Sequence, residues 1–149
     1  MDFEKPEELA MIQTTVRGFV SEQLKPLERT VLGRAADLSD AEMFLPADKE
    51  DELVAMAQEM GLWGIGIPDE LGGAGLGTLG KCLIEEELAQ TVIPFSFGDV
   101  PPVLFDCNER QREDYFKLAL ERRKLPLVAF LEPRDKSHVD NMGTRADKK

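Results

Sequence analysis

Apolar residues at Leu9, Ile12, Val16, Val20, Leu24, Leu27 and Val31 recur at steps of three and four, the spacing that gathers them on one face of a helix. Pro6 stands where a first helical turn tolerates proline, so a long amphipathic helix is predicted from there. Pro26 lacks a backbone donor and crowds the turn before it, which predicts a bend or a short second piece. Residues 33 to 47 then mix Gly33, Asp37, Ser39, Asp40 and Pro46, a connection with room for one short helical turn.

A further helix is predicted with Asp48 as its cap, Leu53, Met56, Ala57 and Met60 as its apolar face and Gly61 as its stop. Seven of the twelve glycines follow between Leu62 and Gly80, which predicts a loop of constrained backbone. From Thr78 to about Val92 the pattern is helical again, with Pro94 as its end. Glu85, Glu86 and Glu87 sit there at successive 100° steps, so they cannot all share one solvent face. At least one is expected to meet an interface or a partner.

Pro101 and Pro102 frame a short element through Val103, Leu104 and Phe105. Asn108 with Gln111 reads as a capping box for a helix to about Arg123. Its closing residues Arg122, Arg123 and Lys124 suit the negative end of the dipole. Four to six helices are thus expected before residue 125. The pattern then changes: Leu125-Pro-Leu-Val-Ala-Phe-Leu131 is a short apolar run with proline near its start, which fits a buried strand better than a helix. From Arg134 to Lys149 the apolar residues are Val139, Met142 and Ala146, too few for a core of their own.

Composition narrows the function classes. A chain of 149 residues with 42% apolar content can fold as one domain. The formal charge of −11, from 29 acidic and 18 basic residues, repels phosphate backbones and anionic membranes, so neither nucleic acid nor membrane is an expected partner. Cys82 and Cys107 are isolated, and His138 is the one histidine, which suggests neither a zinc site nor a disulfide framework and fits a reducing compartment. Residues 1 to 30 hold no apolar signal core, and no uncharged stretch is long enough to cross a bilayer. The chain reads as soluble and intracellular.

Three patterns invite catalytic readings. Gly75-Leu-Gly-Thr-Leu-Gly80 is formally G-x-G-x-x-G before a helix, but a dinucleotide fingerprint leaves a strand directly, and here Pro68-Asp-Glu-Leu-Gly-Gly intervenes. It reads instead as a connection that lets helices approach closely. The glutamate run diverges around the helix with no histidine nearby, which favours a solvated or interface-facing acidic patch over a metal or acid–base pair. His138 has no neighbouring nucleophile. Trp63 reads as a core plug. No catalytic residue and no metal ligand is assigned.

Four pieces, in order and in register, carry a resemblance: Met60-Gly-Leu-Trp-Gly-Ile-Gly-Ile-Pro-Asp-Glu-Leu-Gly-Gly-Ala-Gly-Leu-Gly77, Ile84-Glu-Glu-Glu-Leu-Ala89, Asn108-Glu-Arg-Gln-Arg-Glu-Asp-Tyr115 and Val128-Ala-Phe-Leu-Glu-Pro133. Together they resemble the acyl-CoA dehydrogenases over essentially the whole chain. The resemblance implies a mainly α fold: an orthogonal helical N-terminal domain over residues 1–124, then residues 125–149 as one or two strands opening an incomplete middle β domain. A barrel and a C-terminal four-helix domain complete the family's enzymes, with FAD between the two. The resemblance places Val128, Phe130, Leu131 and Ser137 at the flavin, and Phe95, Phe97, Val100 and Ser137 at the acyl-CoA substrate. The family usually has threonine where this chain has Leu131, and a small-residue loop where it has Arg134-Asp-Lys-Ser-His138.

In that family a glutamate removes the α-proton of the thioester while hydride passes from the β-carbon to flavin N5, so base and flavin must grip the same bond. The glutamate comes from the C-terminal domain, and no residue of this chain is expected to be the base. Two readings stay open. One is the N-terminal part of a flavin-dependent acyl-CoA dehydrogenase, completed by a C-terminal remainder or a partner subunit. The other is a non-catalytic helical subunit of such a complex. An oxidase or monooxygenase relative would share the same helical domain. The resemblance further implies an oligomer, in the bacterial cytoplasm or alternatively the mitochondrial matrix.

Overall fold

In the computed structural model, which describes residues 4–34, 45–128, 143–145 and 147, helix α1 (Glu7–Phe19) begins directly after Pro6. Glu7 and Glu8 occupy its first turn, where carboxylates meet the positive end of the dipole. The helix does not stop at Phe19. A π turn over Val20–Leu24 and a 3-10 turn over Lys25–Leu27, containing Pro26, lead into α2 (Glu28–Arg34). The 3-10 turn that holds Pro26 splits off α2, the short second piece that Pro26 predicts. Phe19 and Val20, three and four residues after Val16, are both in the core, as the i+3 and i+4 positions of one helix face are. The connection from residue 35 to 44 lies outside the described residues.

Helix α3 (Ala47–Glu59) starts after Pro46, not at an Asp48 cap. Asp48 lies inside the first turn and acts there through its charge. Leu53, Val54 and Ala57 are its buried residues, and Met60, just past the last turn, is exposed. Gly61 does stop the helix. At φ +70° it lets its own N–H reach the Gln58 carbonyl at 3.0 Å, and the Leu62 N–H reach Ala57 at 2.9 Å. This pair of bonds is a Schellman turn, and it delivers Leu62 to the core.

The glycine-rich stretch forms turns and one 3-10 turn, Asp69–Leu71, before α4 (Gly77–Leu88). No strand precedes Gly75 among the described residues, so the phosphate-loop reading has no support. Helix α4 ends earlier than the predicted Val92. The N–H groups of Gln90 and Thr91 bond three residues back, to Glu87 and Leu88, which tightens and closes the helix well before Pro94. Val92 is exposed. The core of this unit gathers Val16, Phe19, Val20 and Leu24 with Leu53 and Ala57 of α3 and Ile84 and Leu88 of α4.

By its contacts the chain divides into two compact units, Met1–Val100 and Pro101–Lys149. In the second, a 3-10 turn (Pro102–Asp106) precedes α5 (Glu109–Gln111), a π turn (Arg112–Phe116) and α6 (Lys117–Leu120). The predicted capping box is present: the Gln111 N–H donates to Asn108 Oδ1 at 2.9 Å, and the Asn108 N–H donates to Gln111 Oε1 at 3.0 Å. Phe105 meets Phe116 edge to face at 6.4 Å. The helix ends at Leu120 and not near Arg123, because Arg122 takes φ +58° and the Arg123 N–H bonds back to Leu118 at 2.8 Å.

The buried strand expected at Leu125–Leu131 is not formed over its described part. Leu125 and Leu127 are 84% and 87% exposed and Val128 is 50% exposed. A strand's backbone groups need a neighbouring strand, and none exists among the described residues. Residues 129–131 lie outside them.

Candidate functional site

Of the three glutamates, Glu87 is the buried one, at 4% exposure, whereas Glu85 and Glu86 face outward. It points from α4 into α1. Arg17 donates through Nε to Glu87 Oε2 at 3.0 Å and through Nη2 to Oε1 at 2.7 Å. Gln13, also buried, donates through Nε2 to Oε1 at 2.8 Å, and its own Oε1 accepts from Lys5 Nζ at 2.8 Å. The Arg17 hydrogen bonds, then Gln13 and the charges of Arg17 and Lys5, hold the Glu87 carboxyl below the usual glutamate range despite burial. Glu87 in turn raises the Arg17 guanidinium. No buried side-chain polar atom lacks a partner among the described residues.

This cluster was only half visible in the sequence. The divergence of three glutamates requires one to turn inward, but it does not name Gln13 and Arg17 as the partners. They lie one turn apart on α1, and Gln13 stands three residues before Val16 and four after Leu9. A polar residue inside an apolar stripe is the signal that was available. A cleft of about 290 Å³ beside the cluster is bordered by Arg17, Ser21, Lys25, Glu86, Glu87 and Gln90. Its charges balance, and Arg17 is already committed to Glu87. The cluster fastens α1 to α4, and it holds no reactive nucleophile.

The substrate residues implied by the resemblance follow directly from the end of α4. Phe97 is 2% exposed and Val100 is buried, while Phe95 is partly buried. Phe19, Phe95 and Phe97 form a closed aromatic triad. Phe19 lies 5.4 Å from Phe95 at 32° and 5.2 Å from Phe97 at 63°, and Phe95 meets Phe97 at 5.4 Å and 86°. The tilted and edge-to-face pairings are the favoured ones.

The turn after Phe97 is held by Gly98 at φ +78°, where an added Cβ would stand 2.6 Å from Trp63 Cε2. The Gly64 N–H also donates to the Phe97 carbonyl at 2.6 Å. Trp63 thus braces this segment, as well as packing on the core. A recess beside Phe97, lined also by Ile65, Gly66, Lys81, Ile84 and Asp99, measures about 10 Å³, room for about one water. This recess is no pocket by itself.

Of the four residues that the resemblance places at the flavin, only Val128 is described; Phe130, Leu131 and Ser137 lie outside the described residues. Val128 is half exposed and has only main-chain polar groups, so it fits backbone contact with a flavin and nothing that moves a proton. Leu131 has no side-chain donor. Among the described residues, no group of three or more His, Cys, Asp and Glu could hold a metal. No helix there is long and apolar enough to cross a membrane.

Comparison with known proteins agrees with this helical arrangement. The family described as "Acyl-CoA dehydrogenase, N-terminal domain" matches residues 6–121. The chain is 39% identical to (R)-benzylsuccinyl-CoA dehydrogenase of Thauera aromatica, over 98% of this chain and 38% of that protein. It is 29% identical to (2S)-methylsuccinyl-CoA dehydrogenase of Cereibacter sphaeroides, over 95% of this chain and 25% of that one. A solved structure of a Mycobacterium abscessus protein assigned as an acyl-CoA dehydrogenase superposes with a TM-score of 0.67 at 28% identity, covering 80% of this chain and 33% of that one. The chain therefore spans between a quarter and two fifths of these relatives. With its first 121 residues matched almost throughout, the chain belongs to the acyl-CoA dehydrogenase family and carries that family's helical N-terminal domain.

Proposed function

We propose that this chain is the N-terminal part of a flavin-dependent acyl-CoA dehydrogenase, contributing one wall of the acyl pocket and leaving the catalytic base to residues outside it. The observation that carries this reading is the segment from Phe95 to Val100, braced by Trp63 against Gly98 and by the Gly64 N–H on the Phe97 carbonyl. Phe95 is the one apolar side chain of the segment that keeps part of its surface open, with Phe97 and Val100 buried. Relatives named for benzylsuccinyl-CoA and methylsuccinyl-CoA support a thioester substrate with a branched acyl group.

On this reading residues 1–124 are the helical domain and 125–149 open a middle β domain. The exposed Leu125, Leu127 and Val128 become buried when further strands pair with them. Val128, Phe130 and Leu131 line the flavin side through their backbones, and Ser137 lies near both flavin and thioester. FAD supplies the hydride acceptor when bound. Phe95 offers its open face to the acyl chain, and the buried Phe97 and Val100 act through the packing of the segment. The assembly is an intracellular oligomer.

A second reading, a helical subunit that keeps the fold without catalysis, is favoured by Leu131 standing where the family's threonine would offer a hydroxyl. A visible absorption spectrum of the purified protein, taken with the intact masses of all that co-elutes, separates the two. Flavin absorbance together with a second polypeptide supports the dehydrogenase reading. A colourless stable monomer sinks it for this chain.

A further inference from the structure

We propose that the acyl group received here carries an aromatic ring, and that Phe95 is the residue that selects it. The proposal rests on the reading that Phe95 to Val100 forms an acyl wall, and it names the substrate class that wall fits.

The argument is geometric. Ile93 and Phe97 are buried on either side of Phe95, while Pro94 and Ser96 between them are exposed. The segment is thus anchored at both ends, and Pro94 restricts the backbone between them. Phe19 packs on the Phe95 ring at a shallow 32°, and Phe97 meets it at 86°. Those two partners are each 2% exposed, so they fix the ring, while Phe95 alone of the three keeps part of its surface open. The result is an aromatic surface oriented before any ligand arrives. A straight aliphatic chain needs only an apolar wall, which leucine or valine would provide. A pre-oriented ring adds the quadrupole preference for a second ring in tilted or edge-on contact, with little ordering left to do on binding.

The test is competition on the full 149-residue chain, using 3-phenylpropanoyl-CoA, 3-cyclohexylpropanoyl-CoA and butanoyl-CoA, with saturation transfer from aromatic protein protons to the acyl protons as the readout. The aryl thioester is expected to bind about twofold to tenfold tighter than the cyclohexyl one, the range an aromatic pair adds beyond buried area. Phe95→Leu is expected to abolish that ratio. If the aryl and cyclohexyl thioesters bind alike and both show transfer, the aryl inference fails and the acyl wall stands. If none of the three shows transfer, the wall reading fails and the inference with it. A ratio that survives Phe95→Leu overturns the role given to Phe95.

Discussion

Arg17 and Glu87, seventy residues apart in sequence, meet through two hydrogen bonds of 3.0 and 2.7 Å, one to each carboxylate oxygen. The pair is asymmetric: the arginine side chain is 61% exposed and the glutamate 5%. Arginine therefore keeps much of its hydration while glutamate has surrendered nearly all of its own. Glu87 depends on the pair far more than Arg17 does.

Acid unfolding should report this dependence. The Glu87 carboxyl is lowered in the folded chain, so its contribution is fully present above the ordinary glutamate value of about 4.3 and is lost as pH falls through the lower, folded value. Glu87→Gln should cost about 1–3 kcal/mol at pH 7 and flatten the stability profile below about pH 4. Urea titrations at a series of pH values would measure both. An unchanged acid limb would mean that Glu87 is not held by Arg17 in solution.

The brace between Trp63 and Gly98 predicts a second effect. Gly98→Ala places a Cβ within 3 Å of three indole atoms at a positive φ, so strain and overpacking should together cost about 1–3 kcal/mol. Trp63 is the chain's one tryptophan, and its fluorescence should shift to the red as the indole is displaced. A variant with the parent's spectrum and midpoint would show that the turn relaxes freely.

In the second unit, Asn108→Ala removes one of the two reciprocal bonds of the capping box. The expected loss is about 1 kcal/mol of local helix stability, read as roughly fivefold faster amide exchange at Gln111. Unaltered exchange would leave the cap without energetic weight.

Arg122→Gly should act in the opposite direction. Arg122 occupies the left-handed position of a turn otherwise like that at Gly61, and glycine relieves a penalty of about 1 kcal/mol there. Thermal unfolding should show the gain. A loss would mean that contacts of the arginine side chain outweigh the backbone strain.

How much of this was legible in sequence follows from the range of each cue. Local chemistry was readable: the Asn108–Gln111 box, the Gly61 stop and the separate helical piece after Pro26 each depend on residues within one turn. Phe19 was legible too: it stands three residues after Val16 in regular α-helix, on the same face as Val20. Asp48 is not the cap because Pro46 opens the helix without a side-chain acceptor. The end of α4 was misplaced because Pro94 is a strong breaker, whereas the helix closes through tighter backbone bonds at Gln90 and Thr91. The partners of Glu87 lie on another helix, and periodicity along one segment carries no information about them. The run at Leu125 has strand composition, but a strand exists only with a neighbour to pair with.

The most direct test of the central claim, that Phe95 to Val100 is a wall of an acyl-CoA pocket, is a ¹H–¹⁵N shift map of the whole chain titrated with butanoyl-CoA. The account predicts saturable shifts concentrated on the amides of Ile93 to Val100 and on the Trp63 indole. Shifts confined to other surfaces, or none at millimolar thioester, would contradict it.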